Sequence, residues 1–166
     1  MDRDRDGSGR ARNARPRDAA GRPLPRGSVG VERLPDELVL SADQAVDQAQ
    51  ELLDGGQPFA AHEVLEAAWK AAAPAERELW RGLAQLAVGL THAQRGNPRG
   101  AVSLLDRGQD HLRRWVGVAP AGLDVTALAA RADRLARRIE DGGTGALSPD
   151  DLRPRLRPDG RSPESR

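Results

Sequence analysis

Apolar residues recur at three- and four-residue steps through the central part of the chain, and this spacing is typical of amphipathic helices. A first helix is predicted after Ser41, a residue type favoured at the N-cap, and Gly55 followed by Gly56 is expected to end it. Its apolar positions are Ala42, Ala45, Val46, Ala49, Leu52 and Leu53. This pattern predicts one helix with a single buried face.

Four further helices are predicted from the residues that start and stop them. Pro58 begins the second helix, and Pro74 is placed early in the third, which Gly96 ends. Asn97 caps the fourth helix and Asp124 caps the fifth. No segment alternates as a strand would, and the short loops make neighbouring helices antiparallel. The sequence therefore predicts an all-α fold, a small bundle of about five helices built from antiparallel helical hairpins.

Both ends of the chain lack this periodicity. Residues 1–34 are rich in Arg, Gly and Pro, and residues 141–166 have the same character. Segments with so few large apolar side chains cannot offset the entropy lost on ordering. We therefore expect a disordered, solvated arm over 1–34, a helical domain over 35–140 and a disordered tail over 141–166.

Charge and composition narrow the classes of partner. The 26 basic and 25 acidic residues leave a net charge of +1, which argues against a dedicated nucleic-acid binder. Tyrosine is absent and there is one phenylalanine, so stacking platforms for single strands are not expected either. The partner remains unknown, and both a homo-oligomer and a protein partner stay open.

The same composition restricts where in the cell the protein is expected and which metal sites it can form. Cysteine is absent, which excludes disulfides and thiolate zinc sites. The N-terminus lacks the apolar run of a secretory signal, and the longest apolar-rich stretch, residues 83–90, is too short to span a bilayer. We expect a cytoplasmic protein without a membrane partner.

One stripe of the second helix carries the side chains best suited to chemistry. His62, Glu66 and Trp69 lie at i, i+4 and i+7, within about 60° of one another around the helix. The third helix has its own stripe, formed by Gly82, Gln85, Gly89 and His92. Each helical glycine costs about 1 kcal/mol relative to alanine, so close approach of a neighbour is expected. We expect the two stripes to face each other, and we expect His111 to be solvated.

If the two stripes meet, their polar side chains converge, and three interpretations stay open. First, His62 and Glu66 form a buried hydrogen-bonded pair with Gln85 or His92 that fixes the register of the helices. Second, His62, Glu66 and His92 bind a divalent metal, with zinc, iron or manganese as candidates. Third, Glu63 or Glu66 works with His62 as an acid–base pair on a small substrate. Whether the protein is an enzyme remains open.

The run from Phe59 to Trp69 resembles the signature of domain of unknown function 309, a bacterial and archaeal family. His62, Glu66 and Trp69 match the family's His-x-x-x-Glu-x-x-aromatic motif. Two further similar blocks contain Arg81, Gly82, Leu83, Ala84, Gln85, Leu86, Ala87, Val88, His92, Arg95, Gly96, Asn97, Gly100 and Ala101. The similarity covers residues 56–112. It implies an all-helical domain whose motif has been suggested to bind metal, without an established activity.

Two functional hypotheses follow. The first is a helical domain with a divalent-metal site at His62, Glu66 and His92. The motif pocket would include Phe59, Glu63, Trp69, Gly82, Gln85, Gly89 and Asn97. The second is a metal-free helical-hairpin module for protein interaction, because the turn at Gly96 and Asn97 also resembles tetratricopeptide-like hairpins.

Overall fold

Five helices form the protein, here a computed structural model that describes residues 17–18, 20–24, 40–115 and 117–158. They are α1 (Ala42–Asp54), α2 (Pro58–Ala71), α3 (Arg77–Gln94), α4 (Pro98–Arg114) and α5 (Val125–Gly142). Short 3-10 turns follow at Pro120–Gly122, Thr144–Ala146 and Pro149–Leu152. The described residues include one isolated bridge, between Arg17 and Pro23, and no strand. The predicted all-α bundle is confirmed.

The helix N-termini are capped largely as the sequence predicts. The side chains of Ser41, Asn97 and Asp124 each accept a hydrogen bond from the backbone N–H three residues ahead, at 3.2, 3.1 and 3.1 Å. Such caps satisfy N–H groups that have no partner within the helix. Helix α3 differs from the prediction, because it begins at Arg77 and Pro74 lies in the preceding turn.

Helix α3 lies at the centre of the bundle. It packs against α2 on one side and α4 on the other, while α1 packs against α2 and α5 against α4. Its fully buried leucines are joined in the core by side chains of α2 and α4. The set comprises Leu79, Leu83, Leu90, Val64, Leu65, Leu105 and Leu112. Each such side chain stabilises the fold by about 1.5–3 kcal/mol relative to an exposed one. Among the described helices, none is long and apolar enough to cross a membrane.

The glycines of α3 face α4, whereas the sequence analysis expected them to face α2. A Cβ added at Gly82 would lie 3.0 Å from Cβ of His111 and 3.1 Å from the carbonyl oxygen of Gly108. A Cβ added at Gly89 would lie 2.9 Å from Cγ of Leu105. The prediction of close approach holds, and its direction was wrong. Spacing along one helix shows which face is crowded, and it does not identify the neighbouring helix.

The segment after α5 packs on the domain, although the sequence analysis expected a disordered tail from residue 141. Residues 141–142 still belong to α5, and we call residues 143–158 the C-terminal strap. Leu156 of the strap is 1% exposed and belongs to the hydrophobic core. Its backbone N–H donates to Oε1 of Gln50 on α1 at 2.8 Å. These contacts order a segment without apolar periodicity; residues 159–166 lie outside the described residues.

A buried arginine fixes the strap to α1. The guanidinium of Arg157 pairs with the carboxylate of Asp43 at 3.1 Å and with that of Asp47. Its Nε donates to the carbonyl oxygen of Ala121 at 2.6 Å. The side chain is only 8% exposed, so its charge is compensated by partners as a buried cation requires.

The predicted arm is described only in part. Residues 1–16, 19 and 25–34 lie outside the described residues. Arg17, Ala20 and Gly21 contact Phe59 or Arg95, and they are treated with the site below.

Candidate functional site

Helix α2 places His62, Glu66 and Lys70 at successive turns of one face. Nε2 of His62 lies 3.8 Å from one carboxylate oxygen of Glu66, and the other carboxylate oxygen lies 3.3 Å from Nζ of Lys70. The first distance exceeds that of a hydrogen bond. The Glu66 side chain is 36% exposed. The carboxylate is therefore shared between an imidazole and an ammonium at a half-exposed surface, and the predicted buried hydrogen-bonded pair is not formed.

The imidazole of His62 is the most buried polar group of this face. Its ring centroid lies 6.0 Å from that of Phe59, and its Nδ1 is buried without a hydrogen-bond partner among the described residues. Burial lowers the pKa of His62, the carboxylate of Glu66 opposes this by raising it, and Lys70 lowers it again. Because the result lies below the ordinary value, the imidazole is neutral at pH 7.

The charges around His62 predict how its pKa responds to substitution. Glu66→Gln is expected to lower the pKa of His62 and Lys70→Gln to raise it, as followed by NMR titration of the ring. The unfolded chain has the ordinary pKa of about 6.5, so it takes up a proton first. Stability is therefore lost as the pH falls through that value toward the lower pKa of the folded state. Arg137→Gln on α5 is the control, and identical titrations in all variants would contradict this arrangement.

Both aromatic rings of α2 are covered by arginine side chains. The guanidinium carbon of Arg81 lies 5.6 Å from the ring centroid of Trp69. Phe59 carries two such contacts, to Arg17 at 5.4 Å and to Arg95 at 5.7 Å. Cation–π contacts of this kind contribute about 0.5–1 kcal/mol at exposed sites and more when desolvated. Phe59 near the start of α2 and Trp69 near its end therefore each contact at least one guanidinium group.

Arg17 belongs to a compact turn in the N-terminal arm. Oδ1 of Asp18 accepts hydrogen bonds from the backbone N–H groups of Ala20 at 3.0 Å and Arg22 at 2.9 Å. The guanidinium of Arg17 donates to the carbonyl oxygen of Gly21. Aspartate commonly closes turns in this way. We call residues 17–22 the arm turn; its described residues hold its shape with their own hydrogen bonds.

The arm turn contacts the face formed by α2 and α3. Besides the contact of Arg17 with Phe59, Nε of Arg95 donates to the carbonyl oxygen of Ala20 at 2.6 Å. Gly21 is buried and has φ of +73°, a conformation that side chains disfavour. A Cβ there would overlap the Phe59 ring and lie 2.8 Å from Nη2 of Arg95. The fit therefore depends on a glycine at this position.

His92 lies in a different environment from the His62–Glu66 pair. Its Nδ1 is 3.1 Å from Nδ2 of Asn97, and its ring packs against Gly100 at the start of α4. The part of the chain that the structure describes contains no group of three His, Cys, Asp or Glu side chains suited to a metal ion. The predicted trio of metal ligands is therefore not assembled, because the turn between α3 and α4 holds His92.

The remaining polar side chain that was predicted to join α2 to α3 is Gln85. Oε1 of Gln85 is buried without a hydrogen-bond partner among the described residues, as is Nδ1 of His62. The two side chains thus do not form the expected network. Glu63 follows His62 directly, about 100° further around α2, so its acid–base role stays a prediction.

His111 is held by an ionisable partner, whereas the sequence analysis expected it to be solvated. Its Nδ1 lies 2.5 Å from Oε2 of Glu78, and its side chain is 16% exposed. The contact joins α4 to α3 on the side where Gly82 allows the two helices to approach closely. The charged residues next to His111 in the sequence do not indicate this partner, because Glu78 is 33 residues away and lies on another helix.

Sequence reasoning missed the groups that cover the motif rings. Arg81 and Arg95 lie in blocks noted for their family similarity, without an assigned role, and Arg17 and Gly21 lie in the arm expected to be disordered. The sequence features that could have suggested the contact with Phe59 are the single phenylalanine and the arginine-rich N-terminal arm. Spacing alone could not identify these contacts, because the arm and α2 are distant in sequence.

The comparisons with known proteins show similarity to one family over part of the chain. No curated protein and no solved structure is detectably similar to the chain. Residues 46–104 match the family described as Domain of unknown function (DUF309). The match includes all of α2 and α3, and with them Phe59, His62, Glu66 and Trp69. The resemblance predicted from the sequence is thereby confirmed over residues 46–104, where the chain is similar to the DUF309 family.

Proposed function

We propose that this domain is a metal-free helical-hairpin interaction module whose α2–α3 face binds a short, arginine-bearing turn of a peptide chain. The observation that supports this is the contact of the chain's own arm turn with Phe59 and Arg95. The turn contributes a guanidinium, a carbonyl oxygen and the bare backbone of a glycine. A partner segment with the same three features would fit the same face.

The chemistry of the face suits recognition. Aromatic and arginine side chains are the types enriched at protein interfaces and at their energetic centres. Asp18 holds the arm turn through hydrogen bonds within the turn itself, and a segment with such internal hydrogen bonds loses less entropy on binding. Tethering to the domain gives it an effective concentration on the order of millimolar. The arm therefore occupies the face until a partner competes with it.

A labelled peptide tests this proposal. In full-length protein, Gly21→Val is expected to release the arm, because the added side chain would overlap Phe59. A fluorescent peptide of residues 15–24 should then bind this variant about tenfold more tightly than wild type, as measured by anisotropy, since the tethered competitor is gone. The same peptide carrying Gly21→Val should not bind.

Two further variants separate recognition from folding. Phe59→Ala in the Gly21→Val background should abolish peptide binding, and Arg95→Gln should weaken it while retaining the ring. Circular dichroism confirms that each variant keeps its helices. Equal affinity of wild type and Gly21→Val for the peptide, or binding that survives Phe59→Ala, would contradict the proposal.

A divalent-metal site is the second candidate, and the closeness of His62 to Glu66 supports it. Two donors fall short of the three or four that protein zinc sites use, so a metal would need further ligands from elsewhere. Binding to the folded state would raise the thermal midpoint of the wild type on addition of zinc or manganese, but not that of His62→Ala or Glu66→Ala. An unchanged wild-type midpoint would leave the metal-free module as the remaining candidate.

A further inference from the structure

A polar groove lies between the end of α1, the first half of α5 and the C-terminal strap. It encloses about 750 Å³, within the range of small-molecule sites. Five arginines and three aspartates line it, so arginine is in excess. They are Arg131, Arg134, Arg153, Arg155, Arg157, Asp54, Asp124 and Asp150. This composition sets the groove apart from the rest of a nearly neutral chain.

Most of the positive charge in the groove is not neutralised by ion pairs. Arg134, Arg153 and Arg155 are exposed and have no carboxylate partner among the described residues. Arg131 donates to the backbone carbonyl oxygens of Asp150 and Asp151, at 2.7 and 3.2 Å, while its Nε is buried without a partner. Carbonyl groups carry no net charge, so the charge of this guanidinium is compensated only by the nearby carboxylates of Asp151 and Asp150.

The aspartates of the groove compensate this charge only in part. Asp124 caps α5 by accepting from a backbone N–H at 3.1 Å, and Asp54 accepts from the amide of Gln50 at 2.9 Å. Arg157 is already paired with aspartates of α1, outside the groove lining. The remaining four arginines outnumber the three aspartates that line the groove by a single positive charge.

We propose that this groove binds a small, multiply charged phosphate compound through the arginines of α5 and of the strap. Guanidinium groups recognise phosphate oxygens with paired, charge-assisted hydrogen bonds, and several of them around one groove suit a polyanion. The site is independent of the proposed peptide module, because the arm turn binds on α2 and α3. Its arginines lie on α5 and the strap, outside the residues of the family match.

Isothermal titration of full-length protein with inorganic pyrophosphate tests the site. The double variant Arg153→Gln/Arg155→Gln is expected to weaken binding by about tenfold or more, because two unpaired guanidinium groups are lost. Arg137→Gln is the matched control. It lies on α5 and removes one positive charge, as each single change in the double variant does, but its guanidinium pairs with Asp133 at 3.1 Å, so the affinity should change less than about twofold.

Three results would overturn the proposal. One is the absence of binding at millimolar pyrophosphate. Another is an equal loss of affinity in Arg137→Gln, which would indicate a response to net charge alone. The third is a single-stranded RNA oligonucleotide that binds more tightly than pyrophosphate and depends on the same two arginines, which would make the groove a nucleic-acid surface. Helical circular dichroism of each variant checks that affinity, and not folding, has changed.

Discussion

Leu156→Ala is expected to lower the free energy of unfolding by about 3 kcal/mol, because it removes a fully buried side chain and leaves a cavity. Leu156 is 1% exposed and lies in the C-terminal strap, far in sequence from the core it joins. Urea denaturation followed by the fluorescence of the three tryptophans measures the effect. A loss of this size would show that the strap contributes to the folded domain.

The control is an exposed apolar residue. Val118 is 95% exposed, so Val118→Ala should change stability by less than about 0.5 kcal/mol. If Leu156→Ala were as mild as Val118→Ala, the strap would be detached from the core in solution. In that case the disordered tail expected from the sequence would be the better description.

Gly89→Leu is expected to destabilise the protein by about 2–3 kcal/mol through overpacking. Even a Cβ at this position would lie 2.9 Å from Cγ of Leu105 and 3.1 Å from its backbone nitrogen. Replacing a helical glycine otherwise gains about 1 kcal/mol, so the clash must exceed that gain. The shift in the urea midpoint measures the balance of the two effects.

Gly145→Ala provides the comparison, because nothing lies within 4 Å of a Cβ added there. This change should be neutral within about 0.5 kcal/mol. A Gly89→Leu variant more stable than wild type would mean that this face of α3 is open to solvent. The close packing of α3 on α4 would then be wrong.

Local patterns predicted the helices well because the forces that start and end a helix act within a few residues. Ser41, Asn97 and Asp124 cap helices as their positions suggested. The neighbours of each face were not predictable in the same way. Gly82 and Gly89 were correctly expected to be crowded, yet α4 and not α2 crowds them, and this choice depends on the whole packing of the bundle.

The candidate site was predicted only at the level of single residues. The sequence indicated Phe59, His62, Glu66 and Trp69 on one helix, and the structure places the first two rings in contact. The convergence with His92 failed because its partner is five residues away in the next turn. Several residues of the arm and of the strap make long-range contacts that no local pattern could indicate, because their partners lie far away in sequence.

The most direct test of the central claim is the fluorine NMR signal of Phe59. It is the only phenylalanine in the chain, so incorporation of fluorophenylalanine gives one resonance, located where the arm turn contacts the α2–α3 face. If the arm turn is bound to the α2–α3 face, Gly21→Val should shift this resonance. Unlabelled peptide of residues 15–24 should then return the resonance toward its wild-type position. An identical resonance in wild type and Gly21→Val, unmoved by the peptide, would contradict binding of the turn at this face.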